Sequence, residues 1–275
     1  MRHVYYGDFL GTPGTVVTFF PDERFAGKRV DGKSNLSGIR FAIPQGSLDF
    51  WAERLEKFGF DRVVKIGCLQ FKDFDEISIE LCETERVLKD WQVNILSDIP
   101  AQMQLTGLLG TNLTVPDPDA TTQFFEAMAN YLTGINLQRS ALDAPKSQWG
   151  RGSVDHIAFQ VEDKHALDEI WEKAEKLGFM RESYVDRGYF SSVYLLEPGG
   201  NRIEFATLTP GFTLDESISQ LGSTFALPPR YEARRAELLR YFAKQNVDFD
   251  RVVPVKFDEN VTVKEGEVHR DTLHL

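Results

Sequence analysis

His156 heads an apolar run, SVDHIAFQVED (residues 153–163), and Glu204 lies inside another, NRIEFAT (201–207). In extended chain, successive side chains point to opposite faces. Ile157, Phe159 and Val161 therefore share one face, and Val154, His156 and Ala158 the other. In the later run, Ile203 and Phe205 take the apolar face while Arg202, Glu204 and Ala206 take the opposite one. If the two strands are near neighbours in one curved sheet, an imidazole and a carboxylate converge on its concave side. That nitrogen and oxygen pair suits a divalent metal, although two ligands hold a metal poorly and a third is required. Arg187, Tyr189 and Tyr194 lie between them in DRGYFSSVYLL. They could hold the oxygens or ring of a substrate, or simply pack and pair beside a hairpin. Taken alone, His156 could equally cap a sheet end, and Glu204 could be half of an ion pair with Arg202 or Arg187.

The elements that would position these residues are repeated. GIRFAIPQGSLDFWAERLEKFGF from Gly38 can be laid on HIAFQVEDKHALDEIWEKAEKLGF from His156, with one residue of difference before the helix. Such internal repetition points to stacked copies of one unit. Each copy opens on an alternating strand and continues into a helix. In the second copy Asp163 is a candidate N-cap, and Leu167, Ile170, Trp171, Ala174 and Leu177 share one helical face. Gly178, and Gly59 in the first copy, stand where a C′ glycine belongs. Three strand candidates follow in the second copy, near residues 180–185, 189–196 and 201–207, with EPGGN as a hairpin. The unit is β-α-β-β-β. A more degraded copy begins at LLGTNLTV (108–115), with a helix from Asp117 or Asp119 containing Phe124, Phe125 and Met128. RHVYYGD, a GTPG turn and TVVTFFP read as the last two strands of a further unit.

The remaining candidates carry less chemistry. Trp51 and Trp171 are assigned to helix faces in the core, and His165 to an exposed first helical turn. His269 and His274 belong to a polar tail. Cys68 and Cys82 have no His or Cys at ligand spacing and are read as reduced, packed thiols. No serine sits in a nucleophile elbow. A net charge of −11 without a basic aromatic-rich cluster argues against nucleic acid or an anionic membrane as partner. MRHVYYGDFLG lacks the features of a secretory signal, and no apolar run reaches the ~18 residues of a membrane span, so a cytoplasmic location is expected.

A β-α-β-β-β repeat with His at the head of its first strand and Glu in its last resembles the vicinal oxygen chelate superfamily, which includes glyoxalase I and the extradiol dioxygenases. GTPGTVVTFFP, WGRGSVDHIAFQVED, DRGYFSSVYLLEPGGNRIEFAT and then TPGF with LPPRYEARRAE resemble, in order, bacterial dioxygenases that open hydroquinone-type aromatic diols. The resemblance spans about residues 2–240. It implies an α+β fold of modules paired into two domains with curved mixed sheets: 1–98, with the first strand and helix of its first module missing, and 104–212. Residues 99–103 would link them, and 213–275 would form a C-terminal helix and tail. It also implies Fe(II), or alternatively Mn, Ni or Zn, held by two His and one Glu, with a small aromatic and O2 as substrates. His156 and Glu204 match the family's ligands, and Arg187, Tyr189 and Tyr194 are carried as substrate contacts. The family's other His belongs to a His-His-Ile stretch in a first strand after which this chain begins. His3 and Glu80 are the residues here that could stand in for it. A glyoxalase-type lyase or isomerase, and a non-catalytic aromatic binder, are the other readings. A homodimer could cover strand edges left by the short first module.

Overall fold

The computed structural model describes residues 3–21, 27–128, 134–218, 221–222 and 224–249. His269 and His274 lie outside the described residues. The element order is β1 (Val4–Tyr6), β2 (Val17–Phe19), β3 (Asn35–Pro44), α1 (Leu48–Lys57), β4 (Arg62–Lys65), β5 (Cys68–Lys72), β6 (Ser78–Thr84), β7 (Gly107–Val115), α2 (Pro118–Ala127), β8 (Ile135–Arg139), β9 (His156–Gln160), α3 (Lys164–Lys176), β10 (Met180–Asp186), β11 (Ser191–Leu196), β12 (Arg202–Ala206) and α4 (Arg235–Ala243). The expected β-α-β-β-β unit is present twice, as β3-α1-β4-β5-β6 and β9-α3-β10-β11-β12. Of the third copy the described strands are β7 and β8, and β1 with β2 forms a two-stranded hairpin.

Local chemistry explains the helices. Asp163 caps α3 by accepting from the Ala166 amide, and Asp117 caps α2 by accepting from the Asp119 and Ala120 amides. Gly178 ends α3 with φ of 74° and Gly59 follows α1 with φ of 77°, a left-handed conformation that a residue with a Cβ adopts only at a cost. The C-terminal segment differs from one continuous helix: a 3₁₀ turn over Pro229–Arg234 leads into the shorter α4.

Within each complete unit the first strand pairs in parallel with the last. The two registers are equivalent: Arg202 opposite His156 and Glu204 opposite Ala158 in one, Ser78 opposite Gly38 and Glu80 opposite Arg40 in the other. The four-stranded sheet runs β10-β11-β12-β9. The second sheet has six strands in the order β4-β5-β6-β3-β7-β8 and passes from one side of residues 99–103 to the other. The expected division at that linker therefore does not coincide with a sheet boundary. The antiparallel β3 to β7 pairing joins the strands before the linker to those after it. The hairpin of β1 and β2 instead lies against the four-stranded unit, where the Tyr5 ring meets Phe212 edge-on at 5.1 Å.

The apolar side of the four-stranded sheet is covered by α3 and α2. Val193, Leu195, Ile203 and Phe205 are fully buried there with Leu167, Phe124 and Phe125. Glu197, at the hairpin before β12, is buried too and accepts from the Thr121 hydroxyl of α2, the Gly199 amide and the Asn201 amide and side chain. A buried carboxylate so fully bonded fixes the hairpin to the helix layer. Trp51 belongs to a separate core with Ile43, Leu55, Leu69 and Leu81, and Trp171 packs at the margin of the first core.

The cysteines depart from expectation. Cys68 and Cys82 are not separate thiols but a cross-strand disulfide between β5 and β6, where the register sets them opposite one another with Cα atoms 4.1 Å apart. They are 14 residues apart in the chain, so spacing alone did not disclose the pairing.

Phe205 is buried one residue from Glu204 on the opposite face. Phe205→Ala is expected to cost about 3–5 kcal/mol of unfolding free energy, measured by urea denaturation, through the cavity it leaves beneath the strand.

Candidate functional site

The strand parity read from sequence holds. Ile203 and Phe205 enter the core while Glu204, from the same strand, lies on the opposite face and is only 4% exposed. Parallel pairing of β12 with β9 brings His156 alongside. Its Nε2 lies 2.7 Å from Glu204 Oε2 and its Nδ1 lies 2.7 Å from Asp155 Oδ2. Tyr194, from β11 and in register with Glu204, donates its hydroxyl to Glu204 Oε1 at 2.7 Å. Arg187 in turn donates from Nη2 to the Tyr194 oxygen at 3.0 Å. The Tyr194 ring has guanidinium carbons of Arg187 and Arg202 at 5.3 and 5.9 Å from its centroid, and His156 meets it edge-on at 5.6 Å.

Neither ion pair considered for Glu204 forms. Arg202 grips Asp155 through Nη1 at 2.7 and 2.8 Å and Glu182 through Nε and Nη2 at 2.5 and 2.6 Å. Glu204 instead bonds the imidazole and the phenol. Of the three predicted substrate contacts, Arg187 and Tyr194 join this cluster. Tyr189 does not, since its hydroxyl bonds Asp215 at 2.7 Å.

Sequence reasoning missed two participants, Asp155 and Tyr5, and named His3 only as a stand-in for the missing histidine. Asp155 precedes the first strand residue, so alternation does not govern where its side chain goes. His3 and Tyr5 arrive from the distant hairpin. The two are bonded, Tyr5 hydroxyl to His3 Nδ1 at 2.8 Å, and His3 stacks on Phe20 at 4.1 Å. His3 Nε2 is buried without a hydrogen-bond partner. Its imidazole feels the charges of His156, Arg187, Glu204 and Asp155, which places it in the same electrostatic neighbourhood. Glu80, the other stand-in, is occupied: Arg40 and Lys65 each bond it at 3.2 Å. It is the register equivalent of Glu204 in the other sheet, but Gly38 stands where His156 would be. His165 is exposed and 3.5 Å from Glu169. Among the described residues, no group of three or more His, Cys, Asp or Glu is arranged to hold a metal, and no helix is long and apolar enough to cross a membrane.

Burial and charge set the protonation states. Burial alone would lower the His156 pKa, but hydrogen bonds to Asp155 and Glu204, with their charges, outweigh it and raise the pKa to about 9. Burial would raise Glu204 and Asp155; contact with the imidazolium reverses this and holds both below the usual carboxylate range. His3 is lowered to about 4 by burial and then by the positive charges of His156 and Arg187, so it is neutral at physiological pH. Burial, followed by the negative charge of Glu204, keeps the Tyr194 phenol protonated. A proton thus bridges His156 and Glu204 in the metal-free protein, and a cation binding there must displace it.

No protein-family profile matches the chain. It is 31% identical to the provisionally named ring-cleaving dioxygenase MhqA of Bacillus subtilis over 271 residues, covering 86% of this chain and 84% of that one. It is 32% identical to the similarly named MhqE of the same organism, covering 86% and 83%. Similarity to the chlorohydroquinone/hydroquinone 1,2-dioxygenase of Sphingobium indicum is 30%, covering 86% and 82%. The solved structure of a provisionally named Bacillus subtilis dioxygenase superposes with a TM-score of 0.76 at 25% identity, covering 94% of this chain and 85% of that one.

The sign of the His156 shift predicts how the metal-free protein responds to alkali. A pKa raised from 6.5 to about 9 contributes stability that is fully present below 6.5 and lost as pH rises through about 9. The depressed carboxylates contribute stability that is lost as pH falls through their own range. Metal-free protein is therefore expected to melt highest between these limits, with Tm falling by about 2–4 °C for each kcal/mol lost on the alkaline side. His156→Gln, followed by the same calorimetric scans, is expected to flatten the decline between pH 7 and 9.

Proposed function

Because the chain belongs to the family of ring-cleaving dioxygenases that includes MhqA and MhqE, we propose that it opens a hydroquinone- or catechol-like aromatic with O2, using Fe(II) held by His156 and Glu204. The observation that carries this reading is the convergence of His156 Nε2 and Glu204 Oε2 within 2.7 Å, largely buried, beside Tyr194 and Arg187. An imidazole nitrogen and a carboxylate oxygen are donors of the kind that Fe(II), Mn, Ni or Zn takes, and a third donor is required to hold any of them. His3, with a buried and unpartnered Nε2, is the described imidazole that could add a further donor. When bound, the metal would supply the electronic link by which ring electrons reach O2.

The chain's own residues would do the rest. Arg187 supplies a fixed positive charge to an anionic diol oxygen, which favours binding of the deprotonated substrate. Tyr194, kept protonated by its surroundings, is a hydrogen-bond donor that can turn from Glu204 to a substrate oxygen. To serve as a ligand His156 would have to release its Nε2 proton, and Glu204 the hydrogen bond it accepts from it. Tyr194, and Tyr5 in the electrostatic neighbourhood of Glu204, would offer aromatic faces to a substrate ring.

Anaerobic loading with Fe(II), followed by oxygen-electrode measurements with methylhydroquinone, tests the assignment. Oxygen uptake matched to substrate consumed is expected, whereas metal-dependent isomerisation of a thiol adduct consumes none. Glu204→Ala is expected to lose both iron and oxygen uptake. Tyr194→Phe should retain iron while kcat falls by about 10²- to 10⁴-fold. A folded protein that binds no iron and consumes no oxygen would overturn the reading.

A further inference from the structure

The chain has two cysteines, and β5 with β6 sets them opposite one another. Leu69 and Phe71 of β5 and Ile79 and Leu81 of β6 join the core around Trp51, so the disulfide lies on the other face of the sheet, with Gln70, Ser78 and Glu80. We propose that Cys68 and Cys82 form an exchangeable redox site: a dithiol reduces the bond in the folded protein by attack at Cys68, and the state of the pair sets the stability of the fold without altering its strand pairing.

The bond is not what brings the two sulfurs together. β5 and β6 are in register from Cys68 to Lys72, and the pairing continues past the cysteines, where the Glu83 amide donates to the Gly67 carbonyl at 2.8 Å. At the other end of the hairpin the turn is docked. Arg29 donates to the Asp75 and Glu76 carbonyls, and Arg151 pairs with the Asp75 carboxylate at 2.7 Å. Opening the sulfur–sulfur bond therefore leaves both thiols in place to close again, and without a third cysteine they have no wrong partner. What the bond changes most is the unfolded chain, in which it closes a loop across a separation of 14 residues.

Access is one-sided. Cys82 is 5% exposed and stands in register with the fully buried Ala42, whereas Cys68 is half-buried, one strand in from the edge. Lys65, on the edge strand β4, is the register partner of Cys68. It reaches across β5 to bond Glu80 at 3.2 Å, and Arg40 bonds the other oxygen of that carboxylate. An incoming thiolate thus meets a cation beside the more accessible sulfur, a setting that favours exchange. One sulfur of the dithiol bonds to Cys68 Sγ and expels Cys82 as a thiolate, which takes up a proton. The second sulfur of the dithiol then bonds to the first and releases Cys68, which is protonated in turn. Two electrons and two protons pass to the protein, and the dithiol leaves as a disulfide.

The test incubates the folded full-length chain with dithiothreitol, without denaturant and well below its melting temperature. Free thiols are alkylated with iodoacetamide at intervals and counted by mass spectrometry, with circular dichroism recorded alongside. Both thiols are expected to appear at a rate proportional to dithiothreitol concentration while the spectrum stays unchanged, and oxidised dithiothreitol should remake the bond. The reduced protein should melt about 6–12 °C lower. Glutathione disulfide should form a mixed disulfide at Cys68 in Cys82→Ser and none at Cys82 in Cys68→Ser. Lys65→Gln should slow reduction about 2- to 5-fold, a difference that about 1 M salt removes. The wild-type rates decide the matter even where a variant does not fold. A bond that opens only as fast as the protein unfolds, whatever the dithiothreitol concentration, is a structural staple and overturns the proposal. Thiols that oxidised dithiothreitol cannot join, or exchange that prefers Cys82, overturn it as well.

Discussion

The arrangement depends on one constraint, the parallel register between β9 and β12. A parallel ladder places the side chains of register partners on the same face, so an imidazole at the head of one strand and a carboxylate two positions along the other must approach each other. Everything else at the site is fitted around that meeting. Tyr194 enters from the next strand at the register position of Glu204, Arg187 follows from the turn before it, and the helix layer behind the sheet keeps β12 from sliding. A slip of one residue would turn Glu204 into the core and Phe205 onto the face of His156, which burial of both faces forbids energetically.

This explains what could be read from the chain and what could not. Alternation, caps and the C′ glycines are local signals, so the units, their helices and the shared face of His156 and Glu204 were legible. The choice of partner sheets is not local. It depends on the fit of β3 against β7, two strands on opposite sides of the linker, and no pattern inside either strand announces that fit. The cross-strand disulfide was hidden for the same reason. Asp155 escaped because it stands just outside the strand whose periodicity located its neighbour. Tyr5 escaped, and His3 was named without a place, because the position of both depends on the β1 and β2 hairpin docking onto Phe212 and nearby rings.

The charges around His156 form an alternating chain from Glu182 through Arg202 and Asp155 to the imidazole and Glu204. Such a sequence of opposite charges is stable in partial burial because each member satisfies the next. It also leaves the last carboxylate the only one not neutralised by a permanent cation. A proton or a metal ion on His156's side of the carboxylate supplies that charge, since Arg202 is committed to Asp155 and Glu182.

The two parallel-closed sheets carry an acidic residue at the same register, and only one of those residues is left with an ionisable partner that can let go. Glu80 is locked by Arg40 and Lys65. Glu204 faces an imidazole, whose charge is conditional. Duplication thus yields a matched pair in which the backbone is held constant and the counter-ion varied. One carboxylate has become permanent masonry, and the other has kept a vacancy in its charge balance that chemistry can use.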